Sequence, residues 1–371
     1  MKCKLSDICY FRKGKVEVEN LNTKNYISTE NMLPNKSGIT EATSLPNVSS
    51  TQEYKNGDVL VSNIRPYFKK IWQARYDGGC SNDVLVFVPK STTDRDFLYY
   101  LLADDDFFTY SMATSKGTKM PRGDKTSIMQ YEVPMVDFCT QKKIASVLKS
   151  LDEKIELNNA INENLEQQAQ AIFKSWFVDF EPFSNQMPSD WSVSTLGNIS
   201  IMGAGGDKPQ NVSPIKSILY QYPIYSNGLS DEGLYGFTDK PKIFKESVTV
   251  SARGTIGFVC LRHIPYVPIV RLVTLIPKTE IISAKYLYLW LKQLHITGTG
   301  TTQQQLTIPD FRKTEILVPS QEIVTLFTDT VEPIFEKIWA NQSENEKLSS
   351  LRDTLLPKLM SGELDASVID L

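Results

Sequence analysis

Histidine is almost absent from this chain. His263 and His295 are the only two in 371 residues, and neither stands in an HExxH or other metal-ligand spacing; an isolated histidine is ordinarily a core or surface residue. The five cysteines (Cys3, Cys9, Cys80, Cys139, Cys260) are scattered, odd in number and without a CxxC pair. That pattern excludes a disulfide framework and a structural zinc site, and it fits a reduced, cytoplasmic setting. No Pro-Pro dipeptide occurs, so the Asp/Asn-Pro-Pro-aromatic loop with which an amino-methyltransferase grips its target is missing. Also missing are a GxGxxG after a strand and a GxSxG elbow; GAGGDKP at Gly203 lacks the GxxxxGK[ST] spacing of a phosphate loop. No run approaches the roughly 20 apolar residues of a membrane span, and the amino terminus MKCKLSDICYFRKGK lacks the apolar core of a signal peptide. With no catalytic or metal-ligating residues to nominate, binding is the default reading.

Charge is nearly balanced, at −3 overall, yet it is unevenly distributed. Residues 1–138 hold 18 Lys+Arg against 17 Asp+Glu, and residues 184–319 hold 13 against 9. Residues 139–183 hold 5 against 7, and residues 320–371 hold 4 against 10. Slightly basic pieces therefore alternate with acidic ones, and the two kinds imply different partners. Neither basic piece carries the strong footprint of an autonomous DNA binder, so tight DNA binding needs cations from another protein.

What is present is a duplication. EKIELNNAINENL, Glu153 to Leu165, returns as EKIWANQSENEKL, Glu336 to Leu348, with 7 identities in 13 positions at an offset of 183. Steps of 4 and 3 along the first copy give Ile155, Asn158, Asn162, Leu165, Ala169, Ile172 and Trp176; along the second they give Ile338, Asn341, Asn345, Leu348, Arg352, Leu355 and Leu359. A 3.5-residue period of apolar knobs is a coiled-coil seam, and a polar residue within it sacrifices stability to fix register. Antiparallel pairing about the midpoints brings the Asn clusters together.

The remaining pieces are duplicated as well. GDVLVSNIR (Gly57 to Arg65) and VLVFVPK (Val84 to Lys90) predict strands before a helix at Phe97; SVTVSARG (Ser247 to Gly254) and VRLVTLIPK (Val270 to Lys278) predict the same before a helix at Tyr286. Each helix leads to a polar loop, Ser115 to Lys125 or Thr297 to Gln305, and then to a short strand ending in Pro. The fold expected is α/β (α+β): two similar mixed α/β domains, 1–138 and 184–319, with long helices at 139–183 and 320–371 packed as an antiparallel coiled coil. Since loops carry function on a retained framework, the diverged loops supply the candidate contacts. In the first piece these are Arg65, Tyr67, Lys69, Lys70, Lys116, Lys119, Arg122 and Lys125; in the second, Arg253, Thr301, Thr302, Gln303, Gln304 and Gln305. Arg pairs bidentately with guanine O6 and N7, Gln with adenine N6 and N7, and Thr reaches base edges or phosphates. The bland alternative for each is a solvated surface side chain, or for Arg65 and Arg253 a structural ion pair.

NLEQQAQAIFKSWFVDFEPF (Asn164 to Phe183) and LSSLRDTLLPKLMSGEL (Leu348 to Leu364) resemble the helical regions of type I restriction-modification specificity subunits. KLSDICYFRKGK, YISTENMLPN, GTKMPRGDK and GTTQQQLTIPDFRKTEILVPSQE are similar to segments of their target recognition domains. One departure is VDFCTQKK at Val136, where the family has a Pro-rich helix entry. The resemblance implies a non-catalytic subunit that binds double-stranded DNA, each recognition domain reading half of a bipartite asymmetric site. It implies two modification subunits clasping the helices and methylating adenine with S-adenosylmethionine, and restriction subunits cleaving with ATP and Mg. The chain itself then needs no cofactor, and its partners share the phosphate contacts. At 1.5 Å per residue, residues 139–177 extend roughly 55 Å, about enough to separate two half-sites. The reading left open from another class is a two-domain coiled-coil scaffold that binds proteins and not DNA.

Overall fold

The computed structural model describes residues 2–298 and 305–366. It divides into two compact units, Met1–Asn158 together with Gln342–Leu371, and Asn159–Asn341. The division thus falls inside the two long helices and not at their ends.

In the first unit the central sheet orders its strands Cys9–Phe11, Val84–Pro89, Val59–Ser62, Ile71–Gln73, all antiparallel. The two middle strands are almost entirely apolar, Ser62 excepted, because both faces are covered. Val59, Val61, Leu85 and Phe87 point into a core shared with helices, while Leu60, Val84 and Val86 point into a second cluster with Tyr54 and Trp72; this is the period-2 alternation of a pleated strand. A second sheet joins Lys15–Glu17, Ser50–Tyr54, Gly78–Cys80 and Tyr26–Ile27. The helix expected at Phe97 begins at Arg95, because the Asp94 carboxylate caps it by accepting from the backbone N–H groups of Asp96 and Phe97, both at 3.0 Å.

The second unit repeats the central arrangement. Its strands run Ser200–Ala204, Val273–Pro277, Ser247–Val250, Val259–Arg262, again antiparallel. A smaller sheet orders Leu234–Thr238, Tyr222–Tyr225 and Val267–Pro268. The expected strand at Val270 starts three residues later, at Val273, because Val270 and Arg271 adopt left-handed backbone with φ of 52° and 60°. Gly205 lets that turn approach: a Cβ there would lie 2.6 Å from the Ile269 carbonyl oxygen. Close backbone packing, and not phosphate binding, therefore accounts for this glycine of GAGGDKP. His263 stacks on Trp339 with ring centroids 4.2 Å apart, and burial, then Lys285 and Arg262, hold its pKa down to about 4.

The long helices span Phe138–Phe177 and Gln321–Ser361. The Pro-poor entry is capped by Asp137, whose carboxylate accepts from the Cys139 and Thr140 N–H groups at 3.0 and 3.1 Å. Pro333 and Pro357 interrupt the second helix on exposed positions, and Asp329 and Asp353, whose carbonyls lose their partners, are exposed too.

Within each unit the halves of the two helices run antiparallel. In the first unit Ile144 and Leu148 pack in one core with Leu356, Leu359 and Met360, and Asn158 Nδ2 donates to Asn345 Oδ1 at 2.9 Å and to Glu344 Oε2 at 2.8 Å. In the second, Phe173 and Phe177 meet Phe327, and Asn341 Nδ2 donates to Asn162 Oδ1 at 2.8 Å. The two Asn–Asn bonds are equivalents under the 183-residue repeat. Asn158 and Asn341 are each 1 % exposed, so each unit buries the donor of its own Asn–Asn bond.

Away from the asparagines the helix halves of each unit depart in part from the 4-3 stepping. Ala169, Ile338 and Leu359 are buried on those steps, whereas Ile155, Leu165, Ile172, Trp176, Leu348 and Leu355 are half-buried, and Phe173 and Phe177, which lie off the steps, are buried in their place. A straight helix drifts by about 20° per heptad, and here it drifts toward the domain core, where Phe177 reaches Trp191 and Tyr286. Arg352 is accommodated by Asp152 at 2.7 Å, which also accepts from the Tyr100 hydroxyl at 2.7 Å.

A single Asn158→Leu exchange is expected to cost about 1–3 kcal/mol, because it removes a buried donor from two acceptors. Adding Asn345→Leu should restore most of that loss while relaxing the register. Urea unfolding of the two variants checks this, and equal losses in both would reject it.

Candidate nucleic-acid interface

In the first unit the strand Val59–Ser62 runs into Asn63, Ile64 and Arg65, and the polar loop comes to lie against them. Arg65 N donates to the Pro121 carbonyl at 2.8 Å, Gly123 N donates to the Asn63 carbonyl at 3.1 Å, and Ile64 forms an antiparallel bridge with Arg122. A Cβ on Gly123 would lie 2.8 Å from Asn63 Oδ1, so any larger residue here would push the Asn63 side chain aside. Lys116 and Arg122 pair across the hairpin, each N–H donating to the other's carbonyl at 2.9 Å, with Gly117 turning at φ 91°.

Arg65 is itself left-handed, φ 51°, and the following turn Pro66–Phe68 exposes Tyr67 and Phe68 as a ring pair 4.7 Å apart. The basic side chains around them are partly engaged. Lys69 and Lys36 share Asp105 at 2.7 and 2.8 Å, Lys116 pairs with Asp124 at 2.6 Å, and Arg122 pairs with Asp83 at 3.3 Å. Lys70 donates to the Thr29 carbonyl at 2.6 Å, and burial lowers its pKa. Lys119 and Lys125 are exposed and make no ion pair among the described residues. Lys116, then Ser127, holds the Asp124 carboxyl down to about 2. Solvent screens such surface pairs, so a phosphate can exchange with a carboxylate here at little cost.

The second unit builds the same place with different chemistry. After the strand Ser247–Val250, Leu306 N donates to the Ala252 carbonyl at 3.0 Å and Arg253 Nη2 donates to Gln305 Oε1 at 3.0 Å. Arg253 and Gln305 are thus brought together, while Thr301, Thr302, Gln303 and Gln304 lie outside the described residues. Asn227 Oδ1 accepts from Ala252 N at 2.7 Å and steadies the strand end.

Among the described residues five buried side-chain polar atoms have no hydrogen-bond partner: Asn63 Oδ1, Arg65 Nε and Thr255 Oγ1 lie just past these strands, and Thr93 Oγ1 and Thr274 Oγ1 lie elsewhere. Leaving such an atom unsatisfied costs about 1–3 kcal/mol, so each is a place where a water or a ligand atom can complete the bonding. Sequence reading missed Asn63; inside VSNIRP nothing but its place two residues before Arg65 distinguishes it. Among the described residues no cluster of His, Cys, Asp or Glu could hold a metal ion, and no helix is long and apolar enough to cross a membrane.

The profile of the type I restriction modification DNA specificity domain matches twice, at residues 1–167 and 188–349. The chain belongs to this family. It is a specificity subunit of a type I restriction-modification system, and its role is DNA sequence specificity within a complex. The family supplies specificity and not catalysis. Among relatives, the chain is 28 % identical to the HindI specificity subunit of Haemophilus influenzae, covering 91 % of this chain and 94 % of that protein. It is 29 % identical to the MjaIX specificity subunit of Methanocaldococcus jannaschii over 75 % of this chain and 71 % of that one. The crystal structure of a type I restriction-modification S subunit from M. genitalium shares the fold, with a TM-score of 0.59 at 19 % identity, covering 97 % of this chain and 96 % of the other.

Proposed function

We propose that each unit reads one half of a bipartite, asymmetric DNA site, and that the paired long helices dock two modification subunits and set the half-site spacing. The observation that carries this is the duplicated strand end: one frame presents Arg122 with Asn63 and Arg65 in the first unit, and Arg253 with Gln305 in the second. Equal frames with unequal chemistry read unequal sequences. The residues proposed to contact DNA are Arg65, Tyr67, Lys69, Lys70, Lys116, Lys119, Arg122 and Lys125 in one unit, and Arg253 with Thr301 to Gln305 in the other. Adenine methylation with S-adenosylmethionine, and cleavage with ATP and Mg, are assigned to partner subunits in the cytoplasm. The family match does not favour a scaffold that ignores DNA.

Sequencing the methylated adenines in cells carrying this chain and its modification partner reports both half-sites together. Replacing Gln303, Gln304 and Gln305 by Ala is expected to relax one half-site and leave the other intact, with about 1–3 kcal/mol lost per disrupted bidentate pair. Equal weakening on every sequence would instead mark these residues as backbone contacts.

A further inference from the structure

The left-handed turn at Val270 and Arg271 is the least comfortable backbone in the second unit. A β-branched residue at positive φ is a steric outlier, and such strain persists only where surrounding structure over-determines it. Three backbone bonds hold the turn: Val270 N to the Gly206 carbonyl at 2.9 Å, Arg271 N to the Gly205 carbonyl at 2.8 Å, and Gly205 N to the Leu272 carbonyl at 2.8 Å. Asn227 adds a fourth, its Nδ2 donating to the Val270 carbonyl at 2.6 Å. Because Asn227 Oδ1 also accepts from Ala252 N, this one side chain ties the strained turn to the strand end that presents Arg253 and Gln305.

The result is an exposed Arg271 with no ion pair among the described residues. Lys242 lies on the same edge: a Cβ built on Gly206 would sit 3.7 Å from its Nζ. Lys208 follows two residues after Gly206, and both lysines are exposed and without an ion pair among the described residues. Of the carboxylates close to these lysines in the chain, Asp207 is exposed and Asp239 is engaged by Asn211 at 3.1 Å. In the first unit the segment entering the corresponding strand carries Asp83, paired with Arg122, so this basic edge is not a shared framework requirement.

We infer that Arg271, Lys242 and Lys208 form a phosphate-gripping edge of the second unit that fixes its register on the duplex beside the Arg253–Gln305 reading site. The inference rests on the proposed reading of DNA by this unit and adds the backbone contacts to it. An arginine on a braced turn loses less freedom on meeting a phosphate than one on a loose loop, which gives the strain a use.

The test is a salt titration of binding to a random-sequence duplex, using the chain assembled with its modification subunits. Each phosphate contact contributes about 0.9 to the slope of log K against log salt. Arg271→Ala is expected to lower the slope by about that amount and weaken binding several-fold on every sequence, and Arg271→Ala with Lys242→Ala by about twice as much. Arg271→Lys should keep the slope, and thermal midpoints should not move. An unchanged slope in Arg271→Ala, or a loss confined to one base position, overturns the inference while leaving the reading of DNA intact. No binding of the duplex by the unaltered complex overturns both.

Discussion

Replacing Phe327 by alanine is expected to cost the second unit about 3–5 kcal/mol, a large share of the roughly 5–15 kcal/mol that holds a typical domain together. Phe327 is fully buried and is the hub of an aromatic knot, with ring centroids 5.9 Å from Phe173, 5.7 Å from Trp176, 4.9 Å from Phe177 and 6.3 Å from Tyr286. Three of those rings lie on the first long helix and the fourth on the helix Ala284–Gln293, so one truncation opens a cavity among three elements. The first unit should unfold as before, so denaturant or calorimetric traces should separate into two transitions with only one shifted. A loss below about 1 kcal/mol would mean that the cavity collapses freely and that the knot is not what binds the helices.

Leu359→Asp should be as damaging to the first unit. Leu359 is 1 % exposed among Ile144, Leu148, Leu356 and Met360, and a carboxylate placed there has no cation to meet. Burying it unpaired costs several kcal/mol, or forces the helix half to detach. The expected result is rapid protease cleavage within residues 342–366 and an earlier unfolding transition. Leu355, half-buried, serves as the comparison: Leu355→Asp should disturb the fold less, so loss of co-purifying modification subunits would report docking. Normal melting by Leu359→Asp would show that the second helix's end is not anchored there.

The antiparallel pairing was legible because both copies of the repeat carry Asn at the same steps, and a buried Asn has few other uses in a seam. The fully buried Phe173 and Phe177 were not, since a fixed 4-3 step ignores the drift of a straight helix and the pull of the domain core. The central strands were readable as apolar runs. The smaller sheets were not, because strands such as Tyr26–Ile27 and Val267–Pro268 are only two residues long. At the candidate interface, sequence named Arg65 and Arg122 separately; their adjacency depends on Gly123 and Pro121, brought in from far along the chain. The engagement of Lys69 and Lys116 was hidden for the same reason, as it depends on where Asp105 and Asp124 fall. Val270 was misplaced by its type, since a β-branched residue beside a strand ordinarily extends it.

The first unit is assembled from two stretches of chain that are made at different times. While a ribosome is still elongating, the Ile144 and Leu148 face, which also packs in the core of the amino-terminal domain, lacks the rest of its cover until Leu356 to Met360 emerge about 200 residues later, a wait of roughly 10–40 s at about 5–20 residues per second. The second unit, continuous from Asn159 to Asn341, can close before its neighbour does. Translation order therefore makes the amino-terminal unit the last to be completed, and part of its apolar surface waits for its own carboxyl-terminal helix half through the synthesis of the whole second unit.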